Sequence, residues 1–197
     1  MKPRICFASN NAHKLEEIQA VLPDSIELVP LREVLPGVDL PENQRTLEGN
    51  SLEKARYVFE KTGISCLADD SGLEVNALKG QPGVDTAHYA GPGRDSGANM
   101  ALLLENLRQA TDRRAAFRAV FTLFWEGEVY SFEGRVDGTI ATEPRGEGGF
   151  GYDPVFIPEG FSETFAELGP EIKNRLSHRA RATRQLAEFL LRTGTSG

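Results

Sequence analysis

The pattern of apolar and polar residues predicts strands and helices that alternate along the first half of the chain. Short apolar runs indicate buried strands, whereas apolar residues spaced three or four apart give a helix one buried face. The predicted elements are a strand at Arg4–Ser9, a helix at Ala12–Leu22, a short strand at Glu27–Val29, a helix at Thr46–Thr62 and a strand at Ile64–Ala68. The intervening segment Leu31–Gln44 is predicted to be irregular, because prolines and a glycine interrupt it.

The second half of the chain combines glycine-rich segments with a hairpin and a helical end. Its predicted elements are a glycine-rich loop at Gly80–Gly97, a helix at about Ala98–Ala110, a β-hairpin of Ala115–Trp125 and Glu128–Ile140, a glycine-rich segment at Pro144–Gly151, a strand at Pro154–Ile157 and a helical C-terminal part. Strand–helix–strand order followed by a hairpin is typical of a mixed sheet flanked by helices. The predicted fold class is therefore α/β.

Composition limits what the chain can be. A length of 197 residues, 40% of them hydrophobic and 26% charged, fits one domain or one domain with two lobes around a cleft. Apolar stretches fall short of the about 20 residues that a membrane span needs. The strand pattern begins too close to Met1 for a signal peptide, so we expect a cytoplasmic protein without a membrane partner. The thiols of Cys6 and Cys66, each inside a predicted strand, are then expected to be buried and free.

The net charge of the chain is −7. General nucleic-acid binding needs a broad basic surface, so this charge argues against nucleic acid as a partner. It leaves room for a small anionic ligand held by a few local cations.

Two adjacent carboxylates, Asp69 and Asp70, follow the apolar run Ile64–Ala68. Because acids side by side at the end of a buried strand repel each other, we expect them to cap a helix, meet arginines or hold a cation. Gly72 is expected to turn the chain sharply after them. The alternative is that the two acids simply begin a turn.

An anion site is one interpretation of the segment that joins the first strand to the first helix. Its members are Ser9, Asn10, Asn11, Ala12, His13 and Lys14. Backbone N–H groups at a helix N-terminus, together with a hydroxyl, amides and an ammonium, suit an anion. The alternative is that the serine and asparagines only cap the helix and the lysine is solvated, because the glycines of familiar phosphate loops are missing.

Two further charged residues stand in contexts that allow a role at such a site. Lys54 lies in the second predicted helix, and Glu42 lies in the irregular loop, from which a carboxylate can reach a cation. The default interpretation of Lys54 is an exposed helical lysine without function. Most loop glutamates likewise bind nothing.

The glycine-rich segment Gly148–Pro154 has features of a site for a flat ligand. Its glycines let the backbone approach closely, Phe150 can stack on a base, and Asp153 can accept hydrogen bonds from ring N–H groups. A β-bulge around a core phenylalanine is the alternative.

Several basic residues lie near the start of the last predicted helix. Ser177 is expected to cap that helix, which places His178 and Arg179 in its first turn, with Lys173 close by. Positive charge there opposes the helix dipole, and an anion or an oxygen-rich base opposite would explain it. A hydrolase with a serine–histidine pair is rejected, because the context of a nucleophile elbow is missing.

Taken together, the motifs resemble those of one family. The segments that carry the resemblance are Ser9–Lys14, Ala68–Leu73, Gly80–Gly83, Phe150–Asp153 and Ser177–Arg179. Their order and spacing are similar to those of the inosine/xanthosine triphosphate pyrophosphatases, which clear deaminated purine nucleotides, and the match runs essentially end to end. One departure is His88, where relatives often carry arginine; it concerns an additional phosphate or dimer contact and not the catalytic core.

The resemblance implies a long mixed central sheet with a lobe on either side of a cleft, a homodimer and Mg²⁺. It implies that a purine nucleoside triphosphate such as dITP, ITP or XTP is hydrolysed to the monophosphate and pyrophosphate. Glu42 and Asp70 would hold magnesium, and Asp70, with Asp69 beside it, would accept the proton. The residues implied to bind substrate are Ser9, Asn10, Asn11, Ala12, His13, Lys14, Lys54, Ser71, Phe150, Gly151, Tyr152, Asp153, Lys173, His178 and Arg179.

Two other functions are alternatives to a pyrophosphatase. A nucleotide-binding sensor would hold a purine triphosphate with the lysines and Phe150, and would not need Asp70 and Glu42 to present a metal. A phosphatase acting on monophosphates would release orthophosphate. Separate measurement of phosphate and pyrophosphate from one incubation distinguishes the three.

Overall fold

The order of strands and helices follows the predicted α/β pattern. The computed structural model describes residues 2–194. Its strands are β1 (Arg4–Phe7), β2 (Glu27–Pro30), β3 (Cys66–Val75), β4 (Arg114–Trp125), β5 (Glu128–Ile140) and β6 (Phe156–Pro158). Its α-helices are α1 (Ala12–Val21), α2 (Leu31–Val34), α3 (Leu47–Thr62), α4 (Ser96–Asn106), α5 (Phe165–Leu168), α6 (Pro170–Leu176) and α7 (His178–Gly194). Short 3₁₀ helices lie at Asn76–Leu78, Gly83–His88 and Asp153–Val155.

The strands form one mixed six-stranded sheet in the order β2-β1-β3-β4-β5-β6. Strand β1 runs parallel to β2 and to β3, whereas β5 and β6 are antiparallel. The mixed sheet flanked by helices is therefore confirmed. In the register of β1 and β3, Cys6 stands opposite Cys66, and both cysteines are free and buried, as expected.

The chain divides into two compact units, which are described separately. The first unit contains the chain up to Asp70, the segment Ala119–Gly134 and the chain from Arg179 onward. The second unit contains Ser71–Arg118 and Arg135–His178. Strands β3, β4 and β5 each contribute residues to both units.

In the first unit the strands separate two apolar layers. Successive side chains of a strand point to opposite faces of the sheet. Leu67 of β3 accordingly belongs to the layer of α1 and α7, with Ile18 and Leu186. Its neighbour Ala68 belongs to the layer of α2 and α3, with Val58. This alternation decides where the polar residues that follow in β3 can point.

The second unit has its own aromatic core. Leu73 and Val75 of β3 lie in it together with residues of α4, β4 and α5. The ring of Phe156 lies 4.6 Å from that of Phe117 and 5.5 Å from that of Phe165, measured between centroids. Contacts of this kind fix β6 and α5 within the unit.

Strand β3 corrects two expectations. It continues to Val75, so Asp69 and Asp70 lie inside the strand and not at its end, and Gly72 makes no sharp turn. Gly72 is needed for another reason: a Cβ at this position would lie 2.3 Å from the carbonyl oxygen of Gly83. Acids are disfavoured in strands, and here contacts with distant parts of the chain outweigh that tendency.

Two smaller differences concern short elements. Leu31–Val34 forms α2 inside the segment expected to be irregular. The strand expected at Pro154–Ile157 begins only at Phe156, because the 3₁₀ segment Asp153–Val155 precedes it. Within residues 2–194, the helices are too short or too polar to cross a membrane.

Candidate functional site

The segment between β1 and α1 is fixed by its own polar side chains. Asn11 is the N-cap of α1, and its Oδ1 accepts a hydrogen bond from the backbone N–H of Lys14 at 3.1 Å. The backbone N–H of Asn11 in turn donates to Oγ of Ser9 at 3.0 Å. The expected cap is thus confirmed for Asn11. The expectation that the lysine is simply solvated is wrong, because the Lys14 side chain is only 18% exposed and its Nζ lies 3.8 Å from Oδ2 of Asp69. Anion binding by the same segment stays a prediction, which the exposed helix N-terminus allows.

Asp69 and Asp70 point to opposite layers of the first unit, because they are neighbours in a strand. Asp69 shares the face of Leu67, towards α1 and α7, and is fully buried. Asp70 shares the face of Ala68, towards α3, and is 8% exposed. The two acids therefore have different partners.

Asp69 forms a buried ion pair with Arg179 at the start of α7. Nε of Arg179 donates to Oδ2 of Asp69 at 2.7 Å, and Nζ of Lys14 lies 3.8 Å from the same oxygen. Arg179 also donates to Glu17 of α1 through Nη1. The expectation that the acids meet an arginine is confirmed for Asp69. We call Asp69, Arg179, Glu17 and Lys14 the Arg179 cluster.

The charges of the Arg179 cluster shift one another's pKa values. Burial by itself would raise the pKa of Asp69, but Arg179 and Lys14 outweigh it and hold this pKa well below its usual range. Burial would likewise lower the pKa of Arg179, and Asp69 and Glu17 raise it instead. Both groups are therefore charged at neutral pH. The resemblance implies that Arg179 contacts the purine base. The cluster gives Arg179 carboxylate partners within its own unit, and the contact with a base stays a prediction.

Asp70 faces a second buried cation, Lys54 of α3. Nζ of Lys54 donates to Oε1 of Glu42 at 2.8 Å, to the carbonyl oxygen of Asp69 at 2.8 Å and to Oδ1 of Asp70 at 3.3 Å. Lys54 is only 5% exposed, so the default interpretation of an exposed helical lysine is wrong. We call Lys54, Glu42 and Asp70 the Lys54 cluster.

Within the Lys54 cluster the pKa values of both buried partners move upward. Burial would lower the pKa of Lys54, but Asp70 and Glu42 outweigh it and raise this pKa. Burial raises the pKa of Asp70 to about 6, against the opposing effect of Lys54. Oδ2 of Asp70 is buried and has no hydrogen-bond partner among the described residues.

Helix α3 also holds the loop that carries Glu42. The backbone N–H of Asn43 donates to Oε2 of Glu53 at 2.8 Å. The backbone N–H of Gln44 donates to Oδ1 of Asn50 at 2.8 Å. These two bonds fasten the loop to the helix directly after Glu42, which keeps its carboxylate beside the lysine of that helix.

In the second unit, Asp153 organises the predicted base-binding segment. Its Oδ2 accepts hydrogen bonds from Nζ of Lys173 at 2.6 Å and from the backbone N–H of Phe150 at 2.9 Å. Nζ of Lys173 also lies 4.4 Å from the centroid of the Phe150 ring. A Cβ on Gly149 would lie 2.2 Å from Oδ2 of Asp153, so the loop can close on the carboxylate only with glycine there. We call Asp153, Phe150 and Lys173 the Asp153 cluster.

Tyr152 is fixed by the 3₁₀ segment Gly83–His88. Its hydroxyl donates to the carbonyl oxygen of Thr86 at 2.7 Å, and burial raises the pKa of the phenol. Oγ1 of Thr86 donates to the carbonyl oxygen of Gly83 at 2.6 Å and accepts from the backbone N–H of Leu73 at 2.9 Å. Thr86 therefore ties Tyr152 to the part of β3 that follows Ser71.

His178 is also buried, and its ring stacks on Phe117 at 4.8 Å between centroids with 13° between the planes. Direct contact of Tyr152 or His178 with a base stays a prediction. The neighbouring residues give both rings fixed orientations.

Sequence reasoning missed Glu17 and Thr86. Glu17 lies three residues after Lys14 in α1, so helical spacing alone could have placed both on one face. Thr86 lies between the Gly80–Gly83 motif and His88, and no local pattern indicates its contacts. His88 itself forms a surface pair with Asp85, at 3.2 Å from Nε2 to Oδ1.

Comparison with known proteins agrees with this arrangement of motifs. Residues 5–189 match the model of the Ham1 family. A dITP/XTP pyrophosphatase of Porphyromonas gingivalis is 50% identical over 95% of this chain and 97% of its own length, and one of Flavobacterium johnsoniae is 47% identical over 96% and 99%. The structure of the Staphylococcus aureus Ham1 protein has a TM-score of 0.87 and 39% identity, covering 95% of this chain and 97% of that one. A HAM1 protein from Coxiella burnetii has a TM-score of 0.88 and 39% identity, covering 96% and 98%. The chain belongs to the Ham1 family.

Proposed function

We propose that the protein hydrolyses non-standard purine nucleoside triphosphates, such as dITP, ITP and XTP, to the monophosphate and pyrophosphate. The observation that carries the proposal is the Lys54 cluster, in which a buried lysine lies between the buried carboxylate of Asp70 and the more exposed carboxylate of Glu42. It occurs in a chain 50% identical to a protein named dITP/XTP pyrophosphatase. Removal of these triphosphates would keep deaminated purines out of the nucleotide pool.

We propose that Glu42 and Asp70 hold Mg²⁺. The buried Oδ2 of Asp70, which lacks a partner among the described residues, fits a cation, and Oε1 of Glu42 and Oδ1 of Asp70 already share one in Lys54. No cluster of three or more His, Cys, Asp or Glu side chains suited to a metal occurs in the described part of the chain. This fits magnesium, which often uses one or two carboxylates and takes its other ligands from water and substrate phosphates. When bound, the metal neutralises charge on the triphosphate.

The proposed reaction is attack of water on the α-phosphorus. Asp70 accepts a proton from the water, a P–O bond forms at the α-phosphorus, and the bond to the oxygen that bridges the α- and β-phosphorus breaks. Lys14, Lys54 and the backbone N–H groups at the start of α1 bind the phosphates and stabilise charge on the leaving pyrophosphate. Asp69, paired with Arg179, holds β3 and α7 together and leaves the proton transfer to Asp70.

We propose that the Asp153 cluster, with Ser71, Gly151, Tyr152 and His178, binds the nucleoside part of the substrate. Lys173 supplies a donor for the 6-oxo group of hypoxanthine or xanthine, whereas the 6-amino group of adenine would meet it donor to donor. The ring of Phe150 offers a stacking surface. Arg179 remains a second candidate for the donor.

The test is an incubation of ITP with the purified protein and Mg²⁺ in water enriched in ¹⁸O. We expect pyrophosphate and labelled inosine monophosphate, because attack at the α-phosphorus places the new oxygen in the monophosphate. Orthophosphate as the first product, or label in pyrophosphate, would contradict the proposal. Tight binding of ITP without turnover would favour the nucleotide sensor. Asp70→Asn serves as the inactive control.

A homodimer and a cytoplasmic location remain predictions. Size-exclusion chromatography with light scattering measures the mass of the assembly and so tests the homodimer. Cell fractionation followed by detection with an antibody to the protein tests the location.

A further inference from the structure

We propose that the ammonium of Lys54 is an internal counter-ion, which a divalent cation displaces from Glu42 and Asp70 and thereby frees for the triphosphate. The inference rests on the proposed function, since it takes these two carboxylates as the metal ligands. It adds an order of events: the same lysine serves the carboxylates before the cation binds and the phosphates afterwards.

All three N–H donors of the Lys54 ammonium are used in this structure. A lysine ammonium has three N–H donors and no acceptor. Its three acceptors within the described residues are Oε1 of Glu42 at 2.8 Å, the carbonyl oxygen of Asp69 at 2.8 Å and Oδ1 of Asp70 at 3.3 Å. A triphosphate oxygen can therefore gain a hydrogen bond from Lys54 only if one of these is given up.

Charge makes the carboxylates the partners that Lys54 would give up. A divalent cation held by Glu42 and Asp70 would repel an ammonium between the same two oxygens, because like charges a few ångströms apart in a buried site interact strongly. The four-carbon stem of lysine lets the ammonium move without a shift of α3. The bond to the carbonyl oxygen of Asp69 involves no carboxylate, and the lysine can keep it as it turns.

The two binding events then reinforce each other. If the cation releases Lys54 for the triphosphate, the triphosphate must by the same amount strengthen binding of the cation. Before nucleotide binds, Lys54 therefore weakens the metal site by competing for its ligands.

The first experiment measures Mn²⁺ binding to the metal-free protein by calorimetry, with no nucleotide present. Lys54→Met should bind Mn²⁺ about tenfold more tightly than the wild type, since the competitor is gone. Lys14→Met is the matched control: it removes one positive charge from the same unit, but its ammonium lies 3.8 Å from Asp69 and not between the metal carboxylates. We expect a gain of less than about threefold in that control.

Equal gains in Lys54→Met and Lys14→Met would mean that net charge alone matters, and would overturn the inference. So would weaker binding in Lys54→Met. Failure of wild type and Lys54→Met alike to bind Mn²⁺ at millimolar concentration would overturn it together with the metal assignment. The ¹⁸O experiment would still decide on hydrolysis, so the two failures are distinguishable.

The second experiment measures the wild-type chain and uses a variant only to assign one signal. The ¹⁵Nζ signals of buried lysines are followed by NMR while Mg²⁺ is added without nucleotide, and Lys54→Arg identifies the signal. The Lys54 signal should shift and lose protection from exchange with water. The signal of Lys173, whose ammonium is paired with Asp153 at 2.6 Å, should stay in place. If Mg²⁺ binds and the Lys54 signal does not move, the inference is wrong while the proposed function stands.

Discussion

Nε of Arg179 donates a hydrogen bond to Oδ2 of Asp69 across 2.7 Å, and both side chains are buried. The next residue, Asp70, faces the opposite layer and Lys54. The alternation of side chains along β3 thus gives two identical neighbouring residues different partners, a buried arginine for Asp69 and a buried lysine for Asp70. The two are expected to respond in opposite ways to the same substitution.

Asp69→Asn is expected to destabilise the metal-free protein by about 3–5 kcal/mol, because it leaves the charge of Arg179 buried with one carboxylate fewer. Urea unfolding followed by circular dichroism measures the free energy of unfolding. Asp112→Asn is the matched control, since Asp112 is paired with Arg114 at 2.9 Å on the surface. A loss no larger than that of the control would show that the buried pair does not hold the unit together.

Asp70→Asn is expected to stabilise the metal-free protein by about 1–3 kcal/mol at neutral pH, because burial disfavours the charged carboxylate. Burial raises the pKa of Asp70 to about 6, whereas the unfolded chain keeps the ordinary value near 3.8. The folded protein therefore holds this proton more tightly. Its contribution to stability is present below the lower value and is lost as pH rises through about 6.

The stability difference between Asp70→Asn and the wild type should accordingly widen from about pH 4 to about pH 7. Urea unfolding at several pH values measures it, and the other carboxylates cancel in the difference. A difference that does not change with pH would contradict the shifted pKa.

The same variant should lose about 10²–10⁴-fold in turnover of ITP, because the proposed proton acceptor is missing.

Gly72→Ala is expected to destabilise the protein by about 1–3 kcal/mol, because the new methyl group must push against the backbone of the neighbouring loop. A Cβ at Gly72 would lie 2.3 Å from the carbonyl oxygen of Gly83. Gly93→Ala is the control, since nothing lies within 4 Å of a Cβ there and its φ is not positive. Thermal unfolding of both variants checks the prediction, and equal shifts would refute the close approach.

Lys173→Met is expected to reduce kcat/KM for ITP by about 10–100-fold and to change the value for ATP less, because the proposed charged donor to the 6-oxo group is lost. Lys79→Met, an exposed lysine of the same unit, is the control. Initial rates with both nucleotides give the ratio. An unchanged ratio in Lys173→Met would exclude Lys173 from reading the 6-position and leave Arg179 as the candidate.

The two cysteines are expected to be inert in the folded protein. Burial raises the pKa of Cys6 to about 11 and that of Cys66 to about 12. Ellman's reagent at pH 8 should therefore detect no thiol in the native protein and both in urea. Since the folded state holds these protons more tightly, their contribution to stability is lost as pH rises through those values. Rapid native labelling would show that the strands open readily.

The sequence predicted the elements with strong local patterns. Helices α1 and α3 and the hairpin of β4 and β5 appear almost at the predicted residues, because each carries its own periodicity. The predicted strand ends at Ala68, because local preference disfavours Asp69 and Asp70 in a strand, whereas β3 continues to Val75. What holds them there is remote: Lys54 lies 16 residues from Asp70, and Arg179 lies 110 residues from Asp69.

In the candidate site, too, local patterns were predictable from the sequence and remote contacts were not. The motifs identified which residues to examine, but no local pattern predicts that Lys54 is buried between Glu42 and Asp70. Nor does any pattern pair Asp153 with Lys173, which lies 20 residues later in the chain. These pairings depend on which elements meet in three dimensions, and the periodicity of one segment carries no information about its neighbour.

The two acids of β3 have a consequence for variation in chain length. A strand that loses or gains one residue turns every later side chain to the other face. A deletion between Cys66 and Asp69 would therefore present each carboxylate to the wrong cation while leaving the doublet intact in the sequence. In a library of random insertions and deletions, active members should keep the length of this stretch unchanged, even where they tolerate substitutions at Leu67 and Ala68. In this stretch, residue count is constrained more tightly than residue identity.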